Sequence, residues 1–348
     1  MELRVAFIGM GNVGRAFVRL LQGKRAELAK QYGIRLVVTA IVTARHGSVV
    51  SATGLDLDAA AERISSGRSI EGLSGSGPVR DAAEAIERCT ADVLFETTPL
   101  NPFDGEPATS HIHQALLRGI SAVTANKGPV AHGYRRLSQL AANRGAMFRF
   151  EGTVMDGCPV FNLAEYCLPG ARILSFTGVL NSTSNLILTG MEDGRSMQEC
   201  LAEAQRLGIA EADPGYDLDG WDTAIKALAL ANVLMEVDGQ AGIAERAGIR
   251  DLTLEEVRTA MTQGHAIKLV ARAEVSPAGA NISVGPERVP RSSVLGGVRG
   301  TSNVLVLKTD VMGEIAIVEN DPGIDQTAYA LLSDMITIHD ALVRRAKL

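Results

Sequence analysis

The sequence predicts an α/β protein in which a Rossmann-like, doubly wound parallel sheet is followed by an α+β domain. Two observations lead to this prediction. Over residues 1–150, short continuous apolar runs alternate with segments of helical periodicity, a pattern typical of parallel strands that helices cover on both faces. A glycine-rich turn directly follows the first apolar run, as it does in doubly wound sheets that bind nucleotides.

The first domain is expected to span residues 1–150. Its strands are predicted at residues 4–8, 36–42, 92–95, 121–124 and 147–150, and its helices at residues 13–29, 81–88, 111–118 and 134–143. The stretch 47–77 is polar and rich in glycine and serine, so it is predicted as a long excursion after the second strand.

From about Glu151 the regular alternation of strands and helices ends, and residues 151–323 are expected to form a second, α+β domain. Antiparallel strands are predicted at residues 174–179, 304–309 and 315–318. Helices are predicted at residues 197–207, 221–235, 254–262 and 327–339, where apolar residues recur at helical spacing.

Composition excludes several classes of protein. With 34 basic against 40 acidic residues and 4% aromatics, the chain lacks the basic surface and stacking residues of a general nucleic-acid binder. The four cysteines, Cys89, Cys158, Cys167 and Cys200, form no C-x-x-C pair, which indicates free thiols in a reducing compartment. No leader or membrane span is recognisable, so we expect a cytoplasmic protein.

The first motif with chemical meaning is the glycine turn between the first strand and the first helix. It reads Gly9, Met10, Gly11, Asn12, Val13 and Gly14. Gly9 permits a tight turn, Gly11 lets the backbone approach a pyrophosphate, and Gly14 lets helix and strand pack closely. The motif therefore predicts a dinucleotide site that includes Asn12 and Val13 at the helix N-terminus.

The residue after the second strand decides between the two nicotinamide cofactors. NAD sites place an acidic residue there, whereas this chain has Arg45. Because a guanidinium suits phosphate oxygens, we expect NADP, with NAD still possible. The alternative interpretation of Arg45 is an ordinary solvated side chain.

Residues 211–226 combine five carboxylates with one lysine. Asp222 and Lys226 are four residues apart and share a helix face. Lys226 stands in the apolar stretch 224–235, and a partly buried lysine beside a carboxylate can donate or accept a proton. The alternative is a solvated helix start, since acids favour that end of a helix.

Lys127 directly follows the predicted strand 121–124. Ligands of open α/β sheets bind outside the carboxyl ends of the strands, which makes Lys127 a further candidate. A solvated loop lysine is the alternative.

These segments together resemble the homoserine dehydrogenase family. The resemblance covers nearly the whole chain. It rests on the turn 9–14, on residues 123–127, 151–154, 178–185, 204–214 and 217–226, and on Gly323 with Thr327 and Ala328.

The resemblance implies oxidation of L-homoserine to L-aspartate 4-semialdehyde, or the reverse, with NAD(P), in threonine, methionine and isoleucine biosynthesis. Lys226 would be the acid/base residue, Lys127 would assist, and Glu211 and Asp222 would hold the substrate. Further substrate candidates are Asp217, Asn181 and Thr183, and further cofactor candidates are Thr97, Thr98, Lys127 and Gly323.

The resemblance also implies a Na⁺ or K⁺ site formed by Glu151 and the backbone oxygens of Val154, Asp156 and Cys158. Here Met155 and Asp156 replace the usual glycines. Backbone oxygens require no particular side chain, so the site is still expected.

In the family, the C-terminal residues 324–348 return to the first domain, and strands around residues 151–160 and 304–318 form a dimerisation sheet. We therefore expect a homodimer or a dimer of dimers, in a short form without a regulatory domain. Two other functions stay open: another NAD(P)-dependent amino-acid dehydrogenase of the same fold, and a non-catalytic NADP-sensing regulator.

Overall fold

The computed structural model describes residues 2–235, 242–276 and 279–347. Its strands are β1 Glu2–Ile8, β2 Arg35–Val42, β3 Ser48–Leu55, β4 Gly77–Pro78, β5 Val93–Glu96, β6 Ser121–Thr124, β7 Phe148–Arg149, β8 Ile173–Val179, β9 Gly242–Arg246, β10 His265–Ser276, β11 Gly279–Pro290, β12 Asn303–Thr309 and β13 Glu314–Glu319. Its α-helices are α1 Asn12–Glu27, α2 Leu57–Ser65, α3 Ala82–Arg88, α4 Ala108–Leu117, α5 Gly128–Arg144, α6 Val160–Asn162, α7 Ser182–Glu192, α8 Met197–Arg206, α9 Gly215–Leu218, α10 Trp221–Leu234, α11 Leu254–Thr262, α12 Val294–Gly297 and α13 Ile324–Arg345.

The chain divides into two compact units. Unit 1 comprises Met1–Pro159 together with Gly323–Leu348, and unit 2 comprises Val160–Pro322. Among the described helices, none combines the length and the apolar character that crossing a membrane requires.

Unit 1 contains a sheet whose described strands lie in the order β4-β3-β2-β1-β5-β6-β7. The five strands from β2 to β7 in this order run parallel, as the alternation of strands and helices predicts. The stretch 47–77 is more regular than predicted. It forms β3 and β4, which pair antiparallel at one edge, and helix α2.

The register of this sheet aligns the carboxyl ends of four strands. Ile8 lies opposite Val42 and Glu96, and Glu96 lies opposite Thr124. The loops that follow β1, β2, β5 and β6 therefore leave the sheet at one edge, where open parallel sheets place their ligands.

Buried aromatic rings pack beneath this edge. The Phe7 and Phe95 rings are stacked with centroids 5.2 Å apart, and Phe17 of α1 tilts against Phe95 at 4.6 Å. Leu331 and Met335 of α13 belong to the same fully buried cluster. The C-terminal helix thus completes the core that supports the glycine turn.

Unit 2 contains a sheet of described strands in the order β13-β12-β8-β10-β11-β9. The strands β8, β12 and β13 pair antiparallel as predicted. The prediction missed the long β10–β11 pair, in which His265 lies opposite Pro290 and Ser276 lies opposite Gly279. Helix α11 has the predicted bounds, and α10 ends one residue before its prediction.

The predicted strand around residues 151–160 is wrong. Glu151–Thr153 forms a 3-10 turn and Val160–Asn162 a short helical turn. Between them, Met155 and Asp156 have φ angles of 51° and 47°. Two consecutive left-handed residues turn the chain back sharply, which an extended strand does not allow.

Candidate active site

The glycine turn of unit 1 is tightly constrained at its first position and open at its second. Gly9 has a φ of 97°, and a Cβ there would lie 2.8 Å from the carbonyl carbon and oxygen of Thr97. A Cβ on Gly14 would lie 3.1 Å from the Gly9 oxygen, whereas a Cβ on Gly11 would meet no described atom within 4 Å. Gly9 and Gly14 thus serve packing, and Gly11 faces open space.

Helix α1 begins directly after Gly11, and no side chain caps its N-terminus. Asn12 accepts a hydrogen bond from the Arg15 guanidinium at 2.7 Å, and Val13 packs against the core. Backbone N–H groups at an uncapped helix N-terminus, beside an unobstructed glycine, form a site suited to a pyrophosphate. The observed geometry therefore fits a dinucleotide.

The loop after β2 presents Arg45 to solvent. Thr43 shapes this loop: its Oγ1 donates to the Gly47 oxygen at 2.8 Å and accepts from the His46 N–H at 2.8 Å. An exposed guanidinium on this hydrogen-bonded loop is available to a phosphate at the adenosine end of a dinucleotide.

The loop after β5 depends on a buried carboxylate that the sequence analysis missed. Glu96 is fully buried and accepts from the Thr98 N–H at 3.2 Å and from the Thr124 hydroxyl at 3.3 Å. Thr97 donates from Oγ1 to the Gly9 oxygen at 3.0 Å. Of the predicted cofactor residues, Thr97 is therefore fixed against the glycine turn and Thr98 against Glu96.

The loop after β6 is fixed by Asn126, another residue that the sequence analysis did not select. Its side chain donates to the Thr98 oxygen at 3.0 Å and accepts from the Gly128 N–H at 2.9 Å. Lys127 lies between Asn126 and Gly128, directly before helix α5, and is half-buried. Gly323 directly precedes α13 in extended backbone.

In unit 2, one amide joins two carboxylates. The Asn181 Nδ2 donates to Asp217 Oδ1 at 2.8 Å and to Asp222 Oδ2 at 3.0 Å. Lys226 Nζ lies 3.1 Å from the same Asp222 oxygen and donates to the Leu180 oxygen at 2.7 Å. Four of the predicted residues thus meet in one polar cluster. Asp222 and Lys226 belong to α10, which is otherwise largely buried and apolar, whereas Asn181 precedes α7 and Asp217 lies on α9.

Burial raises the pKa of the Asp217 carboxyl above its ordinary value, and the charge of Asp222 adds to the rise. Hydrogen bonds from Asn181 and Thr183 and the charge of Lys226 act in the opposite direction. Asp217 is therefore a weaker acid in this cluster than an aspartate in solvent.

Glu211 is placed differently from the other predicted substrate residues. It is exposed in the loop after α8, where its backbone oxygen accepts from the Gln205 side chain at 3.2 Å. The hydrogen bonds of the cluster run through Asn181, Asp217 and Asp222 instead.

The four predicted cation ligands lie in one turn of unit 1. Glu151 and Val154 are buried, Asp156 accepts from the Thr327 hydroxyl at 3.1 Å, and the Cys158 N–H donates to the Met155 oxygen at 2.8 Å. The left-handed φ values at Met155 and Asp156 explain why glycine suits these positions, since other residues are strained there.

The family models and the similar proteins all indicate the same family. The family model described as homoserine dehydrogenase matches residues 159–336, and the model described as homoserine dehydrogenase, NAD binding domain, matches residues 9–151. The NAD(+)-dependent homoserine dehydrogenase of Pseudomonas canavaninivorans is 36% identical over 346 residues, with 99% of this chain and 98% of that protein covered.

Two further relatives agree. The homoserine dehydrogenase of Methanocaldococcus jannaschii is 36% identical over 338 residues, which cover 97% of this chain and 98% of that protein. The solved structure of a hyperthermophilic archaeal homoserine dehydrogenase in complex with NADPH is similar with a TM-score of 0.81 and 30% identity, covering 97% of this chain and 98% of that one.

The two glycines of the turn are expected to respond differently to alanine. Gly11→Ala should leave the melting temperature unchanged but weaken dinucleotide binding, because its methyl group enters open space that the cofactor needs. Gly9→Ala should lower the melting temperature, because its methyl group meets the Thr97 backbone at 2.8 Å with φ at 97°. Thermal denaturation and dinucleotide titration separate the two. Equal losses of stability in both variants would contradict this assignment.

Proposed function

Because the chain belongs to the homoserine dehydrogenase family, we propose that it interconverts L-homoserine and L-aspartate 4-semialdehyde with NAD(P), in the biosynthesis of threonine, methionine and isoleucine. One observation supports this most directly. Lys226 lies on the largely apolar helix α10 and is held there between Asp222 and the Leu180 carbonyl. We assign cofactor binding to unit 1, which includes residues 324–348, and substrate binding and dimerisation to unit 2.

The proposed chemistry moves a hydride and a proton. When bound, the nicotinamide supplies the acceptor for the hydride that leaves C4 of homoserine. Lys226 takes the proton of the C4 hydroxyl as the carbonyl forms, and in the reverse direction it returns that proton to the carbonyl oxygen. The Asp222 carboxylate and the Leu180 carbonyl both accept hydrogen bonds from Lys226. These two acceptors fix the position of the Lys226 Nζ, which exchanges the proton with the substrate.

The other predicted residues bind and orient in this proposal. Glu211 and Asp222 bind the substrate ammonium, because a carboxylate attracts a cation. Asp217, Asn181 and Thr183 shape the same subsite. Lys127 assists proton transfer, the role that the family resemblance implies.

Replacing Lys226 by alanine is expected to lower kcat by about 10²–10⁴-fold, the usual contribution of general acid–base catalysis, while dinucleotide affinity stays unchanged. The absorbance of reduced nicotinamide, with homoserine and NADP as the only additions, measures both proteins. Lys308→Ala is the matched control, because Lys308 is an exposed lysine of unit 2.

Near-normal kcat for Lys226→Ala across the alkaline range would transfer the acid/base role to Lys127. Absence of nicotinamide reduction by the unmodified protein would contradict the proposed function itself.

NADP is the proposed preferred cofactor, with NAD also accepted. Arg45 supports this, since it is an exposed guanidinium in an ordered loop after β2, where NAD sites place an acid. The relatives include both a protein named NAD(+)-dependent and a structure in complex with NADPH. This variation agrees with a specificity that depends on few residues.

Replacing Arg45 by aspartate is expected to shift the ratio of kcat/KM toward NAD, because the carboxylate repels a 2′-phosphate and accepts from a 2′-hydroxyl. Steady-state kinetics with both cofactors give the ratio. Arg68→Asp serves as the control: Arg68 is another exposed arginine of unit 1, paired with Glu62 at 3.0 Å. An unchanged ratio in Arg45→Asp would remove Arg45 from this role.

We further propose that the turn 151–158 holds Na⁺ or K⁺. The donor set fits a hard cation, since Glu151 is a buried carboxylate and the ligands expected from Val154, Asp156 and Cys158 are backbone oxygens. Such an ion would hold the turn in place, and no chemical step runs through it.

The proposed assembly is a homodimer or a dimer of dimers. Strand β13 forms an edge of the unit 2 sheet, and Val311, Met312 and Val318 at or beside this edge are 71%, 61% and 43% exposed. An apolar edge strand is a surface that a second copy covers well in a two-fold assembly.

Sedimentation at micromolar concentration should therefore give a dimer or a tetramer. Val318→Lys should shift the protein toward the monomer, because the charge lies on the edge strand, whereas Lys30→Ala, at an exposed lysine of unit 1, should not. A monomeric unmodified protein would contradict the proposed assembly.

A further inference from the structure

Unit 2 contains a lysine that is fully buried. Lys268 lies on β10 with 0% exposure. Its Nζ donates to the Asn185 Oδ1 at 3.0 Å and to the Val298 oxygen at 2.8 Å, and lies 3.5 Å from the Glu192 carboxylate. The ammonium therefore has an acceptor or a counter-charge for each of its three hydrogens.

Burying this charge is costly, and the structure compensates for it locally. Burial lowers the pKa of the Lys268 ammonium below its ordinary value, and the charge of Glu192 opposes that change. Buried charges are retained when they are paired and hydrogen-bonded, and removing one partner of such a pair is strongly destabilising. Lys268 thus links Asn185 and Glu192 to the backbone of Val298.

Two of these partners, Asn185 and Glu192, lie on a polar face of helix α7. Ser182, Asn185, Thr189 and Glu192 follow one another at intervals of three or four residues, so they share that face. All four contact the segment 298–303. Asn303 donates to the Ser182 hydroxyl, Asn185 to the Ser302 oxygen, the Gly300 N–H to the Thr189 hydroxyl and Arg299 to Glu192.

The same helix begins at the polar cluster of unit 2. Asn181 caps α7 by accepting from the Ser184 N–H at 2.8 Å, and its amide nitrogen bridges Asp217 and Asp222. The Asn185 N–H donates to the Asn181 oxygen at 3.1 Å. One helical turn therefore separates the residue that Lys268 binds from the residue that organises the carboxylates.

We propose that Lys268 is a positioning residue for homoserine, which holds α7 through Asn185 so that Asn181 can bridge Asp217 and Asp222. This inference rests on the proposed function. Lys268 touches neither of these carboxylates in the contacts given above, so its effect on them passes through α7. A shift of α7 along its axis or about it would move the Asn181 amide and separate the two carboxylates from their shared donor.

The test is a double-mutant cycle between Lys268→Met and Asn181→Ala, read by steady-state kinetics. Residues within one hydrogen-bonded network are coupled. Each single variant is expected to raise the KM for homoserine about tenfold, and the double variant should raise it no further than Asn181→Ala alone. The affinity for NADP should stay unchanged, because the glycine turn belongs to unit 1.

This pattern differs from a general loss of structure. Partial unfolding lowers the concentration of active enzyme, so it lowers the apparent kcat and leaves the KM for homoserine in place. Lys30→Met is the matched control: it removes an exposed lysine of unit 1, and its kinetics should equal those of the unmodified protein.

Independent, multiplying effects of Lys268→Met and Asn181→Ala on KM would overturn the proposal, as would unchanged kinetics in Lys268→Met. If Lys268→Met does not fold, Asn185→Ala replaces it in the cycle, because it removes the contact between Lys268 and Asn185 and keeps the pair of Lys268 with Glu192. Absence of homoserine oxidation in the unmodified protein would contradict the proposed function, whereas an active unmodified protein with additive variants would contradict this inference alone.

Discussion

Much of unit 2 depends on one shared donor: the Asn181 amide donates hydrogen bonds to two carboxylates, Asp217 and Asp222. Asp217 and Asp222 repel each other, and the Asn181 amide and the Lys226 ammonium together offset that repulsion. The arrangement requires the start of α7, the short helix α9 and the start of α10 to meet at one place. Burial of the apolar residues of α10 contributes the folding free energy that holds these polar groups close together.

In unit 1 the corresponding constraint is the register of the parallel strands. Once Ile8, Val42, Glu96 and Thr124 end at one level, the loops that follow must satisfy their backbone groups at the same edge. The Thr97 hydroxyl and the Asn126 amide do this by bonding to the backbone of neighbouring loops. The result is a rigid edge in which Gly11 faces open space.

The two units illustrate different uses of buried charge. Glu96 is surrounded by hydroxyl and N–H donors that shape a loop, whereas Glu192 pairs with Lys268 and Arg299 to join a helix to a strand and a loop. In both cases the charged group is far more sensitive to loss of a partner than an apolar residue would be. Such residues fix the relative positions of elements more strictly than apolar packing alone.

Local pattern was sufficient for the parallel strands of unit 1, the glycine turn and helices such as α11, because apolar periodicity and glycine placement are properties of neighbouring residues. It was insufficient for β3 and α2 in the polar stretch 47–77, where serine, threonine and glycine residues interrupt the apolar pattern of β3. It was also insufficient for the β10–β11 pair, since charged residues such as Lys268 and Arg272 interrupt the apolar pattern of β10.

For the candidate site, the sequence by itself determined the residue types: the glycine turn, Arg45, Lys127, and the run containing Asp217, Asp222 and Lys226. Tertiary structure alone decided which of them meet. It placed Asn181 between the two carboxylates, left Glu211 exposed, and buried Glu96 and Lys268, which no local pattern distinguishes from solvated residues. The physical reason is that burial and hydrogen bonding depend on partners from distant parts of the chain, such as Asn185 for Lys268.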